Sequence, residues 1–217
     1  VSTRRIAASL VSAQTANPPG VTFVAANSAN AATITIPTHH TGDMIVIYAR
    51  QSASAAPPSI PSASGTVPAW VSIGSSGTGY ASNRTAYYIA TDNTTTSGTW
   101  TNANGLIAVV LRRASGVGGY GNSVVGLPAA VSPTISMTKS TGTSALLHFY
   151  GWGDAVNTVT SISSTVPGGY TRRTSSTASL TAICLNTKNL TDTDSAVAQA
   201  ATVNAYSGHA TVEVLAS

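Results

Sequence analysis

Six carboxylates and four histidines are the groups of this 217-residue chain best suited to acid–base or metal chemistry, and their spacing decides what they could do. Asp192 and Asp194 in "LTDTDSA" repeat the opening of a calcium loop, but neither the turn glycine nor the distant glutamate of an EF-hand follows. His39 and His40 are adjacent, so an extended segment sends their rings to opposite faces, a poor arrangement for a shared ion. His148 and His209 fall in matching strand-like runs and could approach each other, yet no carboxylate is spaced to complete a site with them. Asp43 stands in a Gly-Asp turn ahead of a strand, an ordinary turn position, and Asp154 in "GWGDAVN" takes the corresponding loop of the second half.

"GVGGYG", residues 116 to 121, formally matches the dinucleotide fingerprint, but a phosphate site needs a helix N-terminus next. "NSVVGLPAAVSP" follows instead, with Pro128 and Pro133, so the glycines read as a flexible connection between two halves. G-x-S-x-G, G-x-x-x-x-G-K and H-E-x-x-H do not occur. A polysaccharide depolymerase needs two convergent carboxylates, which six scattered acids do not supply. The expectation is therefore a chain with no catalytic, cofactor-binding or metal-binding residues, not an enzyme.

Composition points the same way. Charged residues are 7% of the chain, against roughly 25% in an average soluble domain, and Ser, Thr, Ala, Gly and Asn fill the space. A polar but nearly uncharged surface lacks one common defence against self-association, so much of it is expected to be covered by copies of the chain or by a larger assembly. The net charge of +4 is thinly spread, and no aromatic residues interleave with the Arg112-Arg113 and Arg172-Arg173 pairs, which argues against nucleic acid. Cys184, the single cysteine, excludes an intrachain disulfide and reads as a small buried hydrophobe. No run reaches the roughly 18 apolar residues of a membrane span, and the first twenty residues lack a signal peptide's apolar core. The N-x-S/T triplets at Asn83, Asn93 and Asn189 follow from the abundance of Ser and Thr.

Residues 1–19 read as an N-terminal arm, with Arg4 and Arg5, a weakly apolar middle at Ile6, Leu10 and Val11, and a stop at "NPPG". From residue 20 to 217, short Val/Ile/Tyr/Thr runs alternate with Gly/Ser/Pro/Asn clusters, the pattern of an all-β sandwich. Candidate strands start at Val21, Ala32, Met44, Trp70, Arg84, Gly98 and Leu106, and then at Thr134, Ala145, Gly169, Leu180, Ala196 and Ala210. The two series match in order. "TGDMIVIYAR" answers "TGTSALLHFYG", "TVPAW" answers "TVPGGY", "TAYYIATDNT" answers "TAICLNTKNL", and "LIAVVLRR" answers "ATVEVLAS". Two degenerate repeats, about 32–115 and 133–217, are expected to pack face to face in one antiparallel sandwich. Trp70 and Tyr170, one hundred residues apart after equivalent Val-Pro turns, would plug one end of its core.

The order "IPTHHTGDMIVIYARQ", "APPSIPS", "PAWVSI", "RTAYYIAT" and "SGTWTNANGLIAVVLRRASGV" resembles a family of accessory virion proteins of tailed bacteriophages and prophages. The resemblance covers roughly residues 30 to 217, although Pro68-Ala69-Trp70 stands where the family pattern has Pro-Gly-Trp and the second copy has Tyr170 in place of the Trp. It implies a jelly-roll-like β-sandwich on the particle surface, in the head or tail, made in the bacterial host cytoplasm. Expected partners are its own copies in a homo-oligomer such as a trimer, together with capsid or tail proteins, with no membrane insertion. Arg4, Arg5, Ile6 and Leu10 would then form a docking arm. The alternative is a host-glycan adhesin, for which Trp152, Asp154 and Tyr120 are the candidate contacts.

Overall fold

A computed structural model describes residues 20–217 apart from 92–93, 126–130, 140–141, 154–158, 179, 192–198, 200 and 203–205. The arm residues Arg4, Arg5, Ile6 and Leu10 lie outside the described residues, as do Asn93, Asp154, Asp192 and Asp194. Among the described residues there are strands and turns but no helix.

The first sheet contains β1 (Thr22–Ala29), β2 (Met44–Gln51), β3 (Val71–Thr78), β4 (Ala81–Ile89) and β5 (Gly105–Arg112), in the order β1-β5-β2-β4-β3. The second contains β6 (Ala114–Val125), β7 (Ser144–Trp152), β9 (Thr171–Ala178), β10 (Thr181–Thr191) and β12 (Ser207–Ala216), in the order β6-β12-β7-β10-β9. A two-stranded ribbon joins β8 (Ser161–Ile162) to β11 (Ala201–Thr202). Every pairing is antiparallel.

The all-β antiparallel sandwich expected from the sequence is what the structure shows, and each sheet draws on one half of the chain. The segments that match in sequence occupy equivalent places: β2 and β7 are the central strands, flanked by β4 and β10 on one side and β5 and β12 on the other. Facing strands are β1 with β9, β5 with β10, β4 with β12 and β3 with β6. At the centre Tyr48 of β2 stacks on Phe149 of β7 at 5.3 Å.

Central strands are covered on both faces, which is why "MIVIYAR" and "LIAVVL" read as continuous apolar runs instead of alternating ones. One set of side chains, including Met44, Val46, Tyr48, Val109, Leu147, Phe149 and Val212, fills the space between the sheets. The other set from β2 and β5, including Ile45, Ile47 and Val110, points outward and packs under loops with Ile34, Ile36, Trp70 and Trp100. Polar bonds tie the flanks of the sandwich. Ser28 meets Thr174 at 2.8 Å, Asn30 donates to Ser176 at 2.7 Å, and Tyr48 donates across the middle to the Gly208 carbonyl at 2.8 Å.

Arg50 extends from β2 over Gly151, where a Cβ would sit 2.8 Å from its side chain. It donates to the carbonyls of Ser82, Gly153, Tyr206 and Gln51 while fully buried, and so binds the end of one sheet to the other.

Several sequence expectations are corrected. Residues 116–121, read as a flexible connection, lie within the twelve-residue strand β6, because their glycines let neighbouring chain approach closely: a Cβ on Gly119 would meet the Ser136 carbonyl at 2.1 Å. The runs starting at Ala32, Gly98 and Thr134 are not ladder strands; the first makes one isolated bridge, Thr35 to Thr96, and serves as cover for the first sheet. The run from Ala196 falls largely outside the described residues. Trp70 does not close an end of the inter-sheet core. It packs over the outer face of the first sheet against Trp100 and Tyr88, and Tyr170 takes the corresponding place over the second, 4.7 Å from the His148 ring.

Candidate functional site

The segment from Thr33 to His40 alternates threonine with isoleucine and then meets Pro37. Extended backbone therefore sends Ile34 and Ile36 into the apolar cover and leaves Thr33, Thr35 and Thr38 exposed. It is laid along residues 94–97 by Ile36 N–H to Thr95 O at 2.8 Å, Ser97 N–H to Ile34 O at 3.1 Å and Ile34 N–H to Ser97 Oγ at 3.0 Å. Beside this seam is a cavity of about 400 Å³ lined by Thr35, Ile36, Pro37, Thr38, His39, His40 and Thr95. A second, of about 360 Å³, shares Thr35 and Thr95 and continues along Thr33 and Thr96.

The adjacent histidines divide as the sequence predicts, His39 being 4% exposed and His40 open to solvent. His39 Nδ1 lies 2.8 Å from the Pro37 carbonyl, which can only accept, so Nδ1 carries the hydrogen. His39 Nε2 is buried with no hydrogen-bond partner.

Behind the lining residue His40, the Asp43 carboxylate accepts from Arg112 Nε at 2.9 Å and Nη2 at 2.8 Å, and from the His40 N–H at 2.9 Å. Burial pushes the Asp43 carboxyl up, but the Arg112 hydrogen bonds, the His40 N–H and the Arg112 charge outweigh it and hold it below the ordinary carboxylate range. Asp43 is thus turn chemistry with an added ion pair, and Arg112, one of the basic pairs seen in sequence, is spent on it. Arg172 likewise donates to Asn186 and Gln199, and Arg173 sits 4.1 Å over the Phe23 ring.

The outer face of the second sheet is built from different chemistry. Ser132 Oγ lies 3.0 Å from His148 Nδ1, and Tyr170 Oη lies 3.4 Å from His148 Nε2, a nucleophile–base–orienter sequence on paper. Ser132 and His148 are both buried, and their contact ties the segment at Ser132 to the outer face of β7. Tyr150 stands between His148 and His209, with ring centroids 6.4 and 5.6 Å away, so the two histidines do not form one ligand pair. Glu213 of β12 is fully buried. Its carboxylate accepts from the N–H groups of Gly119, Thr138 and Lys139 and from Ser144 Oγ, at 2.7 to 3.0 Å. Burial raises its pKa, and these four donors together bring it below the ordinary glutamate value.

Of the glycan contacts expected from sequence, Trp152 is 2% exposed and stacks on Tyr150, so it offers no platform. Trp70 and Trp100 are buried in the same manner. The three tryptophans are core in both halves because an apolar sheet face needs a large lid. Tyr120 is 54% exposed, but its ring lies against Gly74 of β3, covering the edge. Sequence reasoning missed Glu213 and Arg50, and the signal was present: each is a charged residue inside an otherwise apolar strand run, where burial requires dedicated partners. Among the described residues, no group of three or more His, Cys, Asp or Glu could hold a metal ion, and no helix is long and apolar enough to cross a membrane. Comparison with protein-family models, with curated proteins and with solved structures finds no match.

Proposed function

We propose that this chain is a non-enzymatic structural protein of a tailed-phage particle surface, decorating or completing the head or tail by association with its own copies and with a capsid or tail partner. The observation that carries the reading is the chemistry of the sheet edges. Of the four strands that edge the two five-stranded sheets among the described residues, β1, β3 and β6 contain no charged residue and no proline. Soluble sandwiches ordinarily blunt such edges with Lys, Pro or short strands, because open ladder groups template pairing with another chain. An uncharged twelve-residue edge such as β6 fits a protein whose edges are covered in an assembly. The polar groups of the interior agree: Arg50, Glu213 and the Ser132–His148 contact hold loops and sheets in place.

In this reading the arm, residues 1–19, is the attachment element, with Arg4 and Arg5 pairing to acidic groups of the partner and Ile6 and Leu10 supplying apolar contact. The deciding experiment is a cryo-EM reconstruction of particles assembled with the chain. Many ordered copies on the capsid or tail lattice support the proposal, and absence from purified particles overturns it. Deleting residues 1–19 should abolish incorporation while leaving the thermal unfolding of the sandwich unchanged.

A further inference from the structure

We propose that the threonine-lined groove on the outer face of the first sheet binds a neutral saccharide, with His39 Nε2 as its buried recognition atom. Three independent features of the groove converge. The first is the orphaned nitrogen. His39 is almost fully enclosed, its Nδ1 is committed to the Pro37 carbonyl, and its Nε2 has no partner in a protein interior where nearly all polar atoms find one. With the hydrogen on Nδ1, a neutral imidazole presents a lone pair at Nε2, so the missing partner is a donor such as a hydroxyl.

The second feature is the lining. Thr35, Thr38 and Thr95 bring hydroxyls that both donate and accept, and the floor of Ile36 and Pro37 is apolar. Alternating hydroxyls over an apolar floor match the two surfaces of a sugar ring, its rim of O–H groups and its C–H face. The cavity of about 400 Å³ falls in the roughly 300–1,000 Å³ range of small-molecule sites, and the adjoining space past Thr33 and Thr96 would admit a second unit.

The third feature is charge. No lysine or arginine lines the groove, and Arg112, which meets the lining residue His40 at its Nδ1, is engaged by both oxygens of Asp43. The groove therefore selects for neutral hydroxylated molecules over sialylated or phosphorylated ones. This site is distinct from the Trp152 surface, and it stands whether the chain occupies the head, the tail or neither.

The test is titration calorimetry of the full chain against neutral mono- to tetrasaccharides of glucose, galactose, mannose and N-acetylglucosamine, with sialyllactose as the anionic control. A saturable neutral ligand is expected, its affinity falling about tenfold or more in His39→Ala, the loss of one buried hydrogen bond. Thr95→Val keeps the His39 packing intact and removes one lining hydroxyl, so a parallel loss with unchanged thermal unfolding separates recognition from folding. The proposal is overturned if no neutral saccharide binds at millimolar concentration, if only sialyllactose binds, or if binding survives both substitutions.

Discussion

The two sheets share a strand order but close their outer faces differently, the first with a broad apolar lid and the second with a smaller apolar cluster around Tyr150, Trp152 and Cys184 beside a polar grip. Over the first lie Ile34, Ile36, Trp70 and Trp100, an apolar lid whose seam is held by backbone bonds. Over the second lie Ser132, Tyr170 and the segment around Thr138 and Lys139, gripped by His148 and the Glu213 carboxylate. The apolar lid gains from area and is tolerant of direction, whereas the polar grip requires each donor in place and costs heavily when one partner is lost. The same architecture can thus be finished by bulk hydrophobic burial or by directed hydrogen bonds, and the two halves should fail differently.

The largest effect is expected from Trp100→Ala, which empties the centre of the apolar lid and should cost about 3–5 kcal/mol in urea unfolding. Trp100→Phe should cost far less, because the indole N–H has no hydrogen-bond partner to lose. If the two variants are equally destabilised, the lid depends on something other than area. Glu213→Ala comes next, at about 2–3 kcal/mol, since three backbone N–H groups and Ser144 lose their acceptor. Hydrogen exchange should then rise at residues 138–139 and in β6, with the first sheet still protected; uniform loss of protection would contradict the separation drawn between the faces.

Acid sharpens the comparison further. Asp43 and Glu213 are both held below their ordinary values, so their stabilisation is complete above the unfolded carboxylate range and is lost as pH falls through the folded values. The urea midpoint should therefore decline below about pH 4. Asp43→Asn should remove less of that decline than Glu213→Gln, because Arg112 is part-exposed and rehydrates when its partner goes. The smallest effect concerns Cys184, whose thiol burial pushes up to about 12. The native protein should resist thiol alkylation and react only once unfolded, and prompt labelling would show that the cover over the second sheet opens.

These contrasts separate what was legible in the sequence from what was not. Alternating turn clusters and β-rich runs gave the all-β class, and the matched runs beginning at Thr41 and Thr141 located the central strands β2 and β7, because local pattern follows strand period and burial. Adjacent His39 and His40 were rightly sent to opposite faces by the same period.

What residues 116–121 would do was decided by tertiary contact. Their glycines signal flexibility in isolation, but Gly119 and Gly121 leave room for the chain at Pro133–Ser136 and Gly118 for the Glu213 side chain, neighbours that local sequence does not reveal. The tryptophans carried the same ambiguity, since an aromatic ring suits a glycan platform or a core lid equally until its surroundings are known, and Trp70, Trp100 and Trp152 all prove to be core. The groove at His39 was beyond sequence altogether. Its walls come from residues 35–40 and Thr95, and the atom that marks it is defined by a partner it lacks, a property that exists only after the chain has closed around it.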